Sequence, residues 1–291
     1  MGQVSATLPE FSAARLEAAR RRENFPIAAW LLRPSRREAR AAIYGFCRLV
    51  DDIGDEQLGD ARAQLGLCQE ELEACYTGHP QHPVFQRLQP VIERHQLDRG
   101  CFLRLIQANL QDQEFVRYST WEELDTYCTL SATPVGQLVL ALEGITEEVP
   151  VGHSDSICTG LQLANMWQDI AADRSRGRRY LPLEVLAQHR VSEEEWESGE
   201  PTPGNRAALR HALGRARRLL REGWPLVHEV PGLMRVEMAT FILSGLAATE
   251  AVVEAGDLVF ERKAAVSGRQ RRATLLTSLL AWRGGQPPPG R

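Results

Sequence analysis

Two short segments carry aspartates at helical spacing. Tyr44, Arg48, Asp51 and Asp55 follow one another at steps of four, three and four, and Gln162, Asn165, Asp169 and Asp173 at steps of three, four and four. On an α-helix each set forms one continuous stripe. An acidic stripe is ordinarily a solvated face. The second segment resists that explanation, because Leu163, Met166, Trp167 and Ile170 are spread around the rest of its circumference, and a helix apolar around most of its surface is buried. Buried carboxylates need a compensating charge. Two such stripes facing each other across a cavity would offer hard oxygen ligands to divalent cations that complete their coordination with phosphate. With no thiolate or imidazole beside them, magnesium suits the set better than zinc. The run Arg176-Gly177-Arg178-Arg179-Tyr180-Leu181-Pro182 follows at once. It is either a basic surface loop or a second clamp, since guanidinium groups grip phosphate in a bidentate fork.

The elements that must position these residues are helical throughout. Apolar periodicity predicts helices near 10–23, 35–55, 61–76, 84–94, 98–114, 120–143, 154–173, 182–188, 192–198, 205–228, 232–255 and 269–283, and no alternating run argues for a sheet. The fold class is therefore all-α. Ser35 with Glu38, Thr120 with Glu123 and Ser192 with Glu195 match the capping box. No break marks a domain boundary, so residues 1–283 are expected to form a single helical domain, with 284–291, which holds three consecutive prolines, as a disordered tail.

At 291 residues with a formal net charge of −4, the chain can bury a large core and has no global nucleic-acid-binding character. Nucleotide loops and serine-hydrolase elbows are absent from the sequence. The six scattered cysteines make no zinc-spaced pair and are expected to be buried thiols in a reducing cytosol. The N-terminus lacks the order of a signal peptide. Met238–Thr249, bounded by Glu237 and Glu250, reads as a core helix rather than a membrane span. Leu275–Trp282, flanked by Arg271, Arg272 and Arg283, either docks on the core or touches a membrane surface.

The segments together resemble the squalene/phytoene synthase family over nearly the whole chain. The motifs, in order, are Tyr-x-Phe-Cys-Arg before the first D-x-x-x-D, Tyr127-Cys128 leading to Pro134-Val135-Gly136, then Q-x-x-N-x-x-Q-D-x-x-x-D, then G-R-x-Y-L-P. That resemblance implies the isoprenoid-synthase helical fold with a central cavity, magnesium held by Asp51, Asp55, Asp169 and Asp173 with help from Asn165, and a prenyl diphosphate contacted by Arg48 and Arg178. Phe25, Tyr127, Gln162 and Tyr180 would line the substrate pocket. The faces of Tyr44, Phe46, Tyr127 or Trp167 would stabilise cations, although aromatics at helical spacing are also plain core. Two features are similar to the hydroxysqualene branch: the start Glu23-Asn24-Phe25-Pro26, and Gln168 where the family usually has arginine. They imply presqualene diphosphate as substrate and Gln168 or Asn165 as the group positioning a capturing water. A condensing synthase of the same family and a catalytically silent assembly protein remain the alternatives. Other enzymes of squalene biosynthesis are the implied partners, with a cytoplasmic location and transient membrane contact.

Overall fold

The computed structural model describes residues 7–9, 34–56, 60–114 and 117–281. The expected helix at 10–23, the 23–28 start with Phe25, and the tail at 284–291 lie outside the described residues. No strand occurs among the described residues, and the one extended pairing is an isolated parallel bridge between Arg117 and Arg179. The helices fall into two compact units, one formed by residues 1–114 with 134–147, the other by 115–133 with 148–291.

The first unit opens with α1 (Pro34–Glu56), α2 (Ala61–Thr77), α3 (Pro83–His95) and α4 (Arg99–Gln111). Local chemistry sets their ends. Asp60 accepts from the Ala63 N–H at 3.1 Å and Asp98 from the Gly100 N–H at 3.1 Å, each satisfying a free donor of a first turn. The core is built on Phe46, fully buried on α1, whose ring meets Phe85 edge-on at 5.8 Å and Phe102 at 5.0 Å. Such aromatic pairs add about 0.5–1.5 kcal/mol each beyond their burial.

The sequence predicts one helix over 120–143, and the structure divides it into α5 (Trp121–Ser131) and α6 (Thr133–Ala141). The break falls at Ala132, with φ −123° and ψ −54°. Pro134 is the cause: early in α6 its missing N–H is tolerated, but in a continuous helix it could not bond the Leu130 carbonyl and its ring would crowd that oxygen. The chain thereby leaves the first unit for α5 and returns with α6, which adds Leu138 and Leu142 to the Phe46 core. Just beyond α6, Glu143 is buried beside Arg36 at 2.8 Å and Arg40 at 4.0 Å.

The second unit continues with α7 (Glu148–Gln168), α8 (Ile170–Ser175), α9 (Leu183–Gln188), α10 (Glu193–Ser198), α11 (Pro203–Glu222), α12 (Leu226–Glu229), α13 (Met234–Ala255), a 3-10 turn at Gly256–Phe260, and α14 (Gly268–Ala281). Pro225 ends the predicted 205–228 helix early and separates α11 from α12. Two glycines let α7, α11 and α13 close on Leu220. A Cβ on Gly160 would stand 2.8 Å from Leu220 Cγ, and one on Gly245 2.8 Å from Leu161 Cδ2 and 2.9 Å from Leu220 Cδ1. Alanine at either position would collide with packed side chains. The stretch Met234–Phe260 is long and apolar enough to cross a membrane, yet most of it is buried within this unit, as expected of a core helix.

Candidate active site

The first unit carries the first aspartate stripe. Asp51 and Asp55 sit one turn apart on α1, both with exposed surface, and Tyr44 and Arg48 are half-buried on the turns before them. Arg48 forms an ion pair with Asp52, one turn further along α1 and buried. The surrounding protein removes enough water from Asp51 to push its pKa up to about 6, and the charges of Asp55 and Asp52 act the same way, while Asn109 and Arg48 oppose them. Asn109, on α4, donates from Nδ2 to Asp51 Oδ1 at 3.3 Å and to the Leu105 carbonyl at 3.1 Å. One turn later Gln113 donates to the Gly54 carbonyl at 3.0 Å. These two amides fix the stripe from α4 and the turn that follows it. The sequence hints at them only as an Asn/Gln pair four residues apart, on α4 and just past its end.

The second unit carries the other stripe, and here the predicted continuous helix bends. α7 stops at Gln168, Asp169 adopts φ −103° and ψ 12°, and α8 resumes at Ile170. Backbone bonds still span the bend, from Asp169 N to Asn165 O at 3.0 Å and from Asp173 N to Asp169 O at 2.9 Å, so Gln162, Asn165, Asp169 and Asp173 keep their order. Asp169 is ion-paired with the chain's one lysine, Lys263, at 2.7 Å. Gln168 is almost wholly buried; its Nε2 donates to the Ala264 carbonyl at 2.6 Å, and its Oε1 is buried with no hydrogen-bond partner.

A cavity of about 190 Å³ opens beside α8. Asp173, Arg174, Arg178, Tyr180, Trp167 and Trp196 are among its walls. Gly177, with φ +73°, makes the left-handed turn that folds the arginine run back, and Arg178 N then bonds Asp173 O at 2.9 Å. The neighbouring arginines are committed to structure. Arg179 is 4% exposed and bonds Glu193 at 2.5 Å, and Arg174 donates to the Phe260 carbonyl at 2.6 Å. Arg179 and then Arg117 hold the Glu193 carboxyl below its usual range. Tyr180 also stacks on Tyr118 at 6.1 Å, and both rings meet Tyr127, at 5.9 and 5.6 Å. The structure thus brings Asp173, Arg178 and Tyr180 to one cavity and Tyr127 against Tyr180. Gln162, Asn165, Gln168 and Asp169 do not line that cavity.

The donor sets fit magnesium. No group of three or more His, Cys, Asp or Glu side chains gathers at one point among the described residues. Each stripe offers a pair of carboxylates, the partial, all-oxygen ligation that suits an ion completing its shell with water and phosphate. Three buried cysteines are held as inert thiols. Burial, with neighbouring acids, pushes Cys68, Cys75 and Cys128 up to about 12, far from the thiolate form.

The family model described as Squalene/phytoene synthase matches residues 18–270. A hydroxysqualene synthase of Rhodopseudomonas palustris is 34% identical over 212 residues, covering 72% of each chain. A phytoene synthase of Thermus thermophilus is 33% identical over 199 residues, covering 68% of each. Among solved structures, the squalene synthase HpnC of Alicyclobacillus acidocaldarius superposes with a TM-score of 0.77 at 36% identity, over 83% of this chain and 94% of that one.

Proposed function

The chain belongs to the squalene/phytoene synthase family, and on that premise we propose that it is a hydroxysqualene synthase, converting presqualene diphosphate and water to hydroxysqualene and diphosphate. The observation that carries this reading is Gln168, which stands where the family usually has arginine and keeps a buried Oε1 with no partner. A buried acceptor of this kind is normally satisfied. A water donating one O–H to it would satisfy it and be held next to Asp169 of the second stripe. The Glu23-Asn24-Phe25-Pro26 start and the hydroxysqualene synthase relatives support the same branch.

Asp51 and Asp55 with Asp169, Asp173 and Asn165 would hold magnesium, which when bound supplies positive charge to a departing diphosphate. Arg178, at the cavity wall beside Asp173, donates to the phosphate oxygens. Arg48, tied to Asp52, adds positive potential beside Asp51 rather than a free fork. The bond from carbon to diphosphate oxygen breaks with both electrons leaving on the diphosphate. The faces of Tyr127 and Tyr44 stabilise the cation as the cyclopropane opens. The water oxygen then forms the new C–O bond, and its proton leaves with the diphosphate.

Phytoene synthase relatives of nearly equal identity favour a second reading, condensation of two prenyl diphosphates. One experiment separates them. The purified protein is given presqualene diphosphate in water enriched in heavy oxygen, with and without NADPH, and separately farnesyl or geranylgeranyl diphosphate alone. Labelled alcohol, unaffected by NADPH, is the expected product. Condensation products from a single prenyl diphosphate, or squalene formed only with NADPH, would overturn the assignment.

A further inference from the structure

Lys263 is the chain's one lysine, and it sits on a carboxylate that the second stripe offers to a cation. Its Nζ stands 2.7 Å from Asp169 Oδ2. Asp169 occupies the N-cap position of α8, yet its side chain makes no capping bond there, so the carboxylate is not spent on the helix end. The placement of Lys263 is built into the fold. The segment from Phe260 to Ala264 is pinned along α7 and α8: Arg174 donates to the Phe260 carbonyl at 2.6 Å, Ala264 N donates to the Gln168 carbonyl at 3.2 Å, and Gln168 Nε2 returns a bond to the Ala264 carbonyl at 2.6 Å. Ala264 is buried, so the residue before it is delivered beside the residue after Gln168. The paired side chains stay accessible, Lys263 55% and Asp169 28% exposed.

One carboxylate oxygen cannot serve an ammonium and a divalent cation without cost. Magnesium binds a carboxylate oxygen at about 2.1 Å, so an ion on Asp169 Oδ2 would lie at most about 4.8 Å from the ammonium held at 2.7 Å. A double charge facing a like single charge at that distance is repelled even in a water-like dielectric with physiological salt. The other route is for the lysine to leave, which forfeits the pair. Either route lowers the affinity of the stripe for the cation by about fivefold. Lysine suits such an exchange. It is a point charge on a flexible stem, and it can swing into water without moving the backbone that Gln168 and Ala264 fix.

We infer that Lys263 is a positioning residue for the second stripe, a tethered cation that competes with the incoming divalent cation for Asp169 and holds that carboxylate until the ion displaces it. The inference rests on the reading that the second stripe binds a divalent cation, and it does not depend on which reaction follows. Its consequence is a threshold. At low free cation Asp169 stays with Lys263, and the stripe loads only as the cation concentration rises.

Manganese(II), which is paramagnetic, serves as the probe: its binding to the full chain is titrated by the loss of the free-ion resonance signal. Lys263→Gln should bind about fivefold more tightly than wild type at the site that Asp169→Asn abolishes, a difference that shrinks as salt is raised. Lys263→Arg keeps the charge and should bind as wild type does. In an Asp169→Asn background Lys263→Gln should change nothing, since the carboxylate for which lysine and ion compete is gone. Because the chain has one lysine, acetic anhydride labelling followed by peptide mass spectrometry reads the pair directly. Lys263 should be acetylated faster in Asp169→Asn, and faster in wild type once manganese is bound. Equal manganese affinity of wild type and Lys263→Gln overturns the inference and leaves the metal reading standing. Manganese binding that Asp169→Asn does not weaken overturns the metal reading, and the inference with it. Slow labelling retained with manganese bound would show that ion and lysine share Asp169, which also refutes the competition.

Discussion

Gly54→Ala isolates the hydrogen bond that orients Asp51. Alanine is favoured over glycine in a helix interior by about 1 kcal/mol. Its Cβ would stand 2.2 Å from Asn109 Oδ1 and 3.1 Å from Asn109 Cγ, so the Asn109 side chain must swing away. Doing so forfeits its bonds to Asp51, at 3.3 Å, and to the Leu105 carbonyl, at 3.1 Å. Those are worth about 0.5–1.5 kcal/mol each, so the net stability change lies between neutral and a loss of about 2 kcal/mol. Orientation responds more strongly: removing a hydrogen bond that holds a metal-binding carboxylate typically costs about 10–100-fold in metal affinity. The assay is diphosphate release titrated with magnesium, with urea unfolding alongside. Gly66→Ala on α2 is the control, because a Cβ there meets nothing within 4 Å. It should gain up to about 1 kcal/mol and leave the titration unmoved. If Gly54→Ala keeps the wild-type magnesium midpoint, Asn109 does not orient Asp51, and the outer support assigned to α4 is wrong.

Asp51→Asn and Asp169→Asn should each lower turnover by orders of magnitude with helical circular dichroism unchanged, since each removes charge and little volume; wild-type activity in either would make that stripe structural. Gly160→Ala and Gly245→Ala should each destabilise by about 1–3 kcal/mol in urea, and less than additively when combined, because both press on Leu220. Burial, with His189, Arg218 and Arg215 nearby, lowers the His211 pKa below its ordinary 6.5. The unfolded chain therefore binds the proton first, and the stability that neutral His211 contributes is full above pH 6.5 and lost as pH falls through the window beneath it. His211→Asn should flatten the acid limb of stability against pH, and an unchanged limb would show that another group sets it.

Much of this arrangement is written in local pattern. The two stripes, the helical class and most helix ends follow from spacing and capping. Thr120 and Ser192 cap α5 and α10 as expected, accepting from Glu123 N at 3.3 Å and Glu195 N at 3.1 Å. What escapes is fixed across distance in the chain. The Asp169–Lys263 pair joins residues 94 apart, and the Asn109–Asp51 bond residues 58 apart. Local spacing picks Asp51 for the stripe, but it does not announce that Asp52 is the buried partner of Arg48. Likewise Arg178 and Arg179 are adjacent in sequence and both border the cavity, but beside the extended pairing with Arg117 it is Arg179 that is buried and tied to Glu193. The break at Ala132 is legible in Pro134, whereas the bend at Asp169 has no proline or glycine to announce it.

The excursion through α5 also dictates an order of events on the ribosome. Synthesis runs from the N-terminus, so α1 to α4 emerge first, but the unit they build lacks Leu138, Leu142 and the Glu143 carboxylate that meets Arg36 and Arg40 until α5 and α6 have followed. A nascent chain stalled near residue 114 would present an apolar core without its last wall and two arginines without their acid. Such a chain is a substrate for chaperones and proteases rather than a folded intermediate. Protease resistance of stalled chains should therefore appear only once residue 147 has cleared the exit tunnel, and a chain truncated after Glu114, where the first contiguous stretch of the unit ends, should fail to fold.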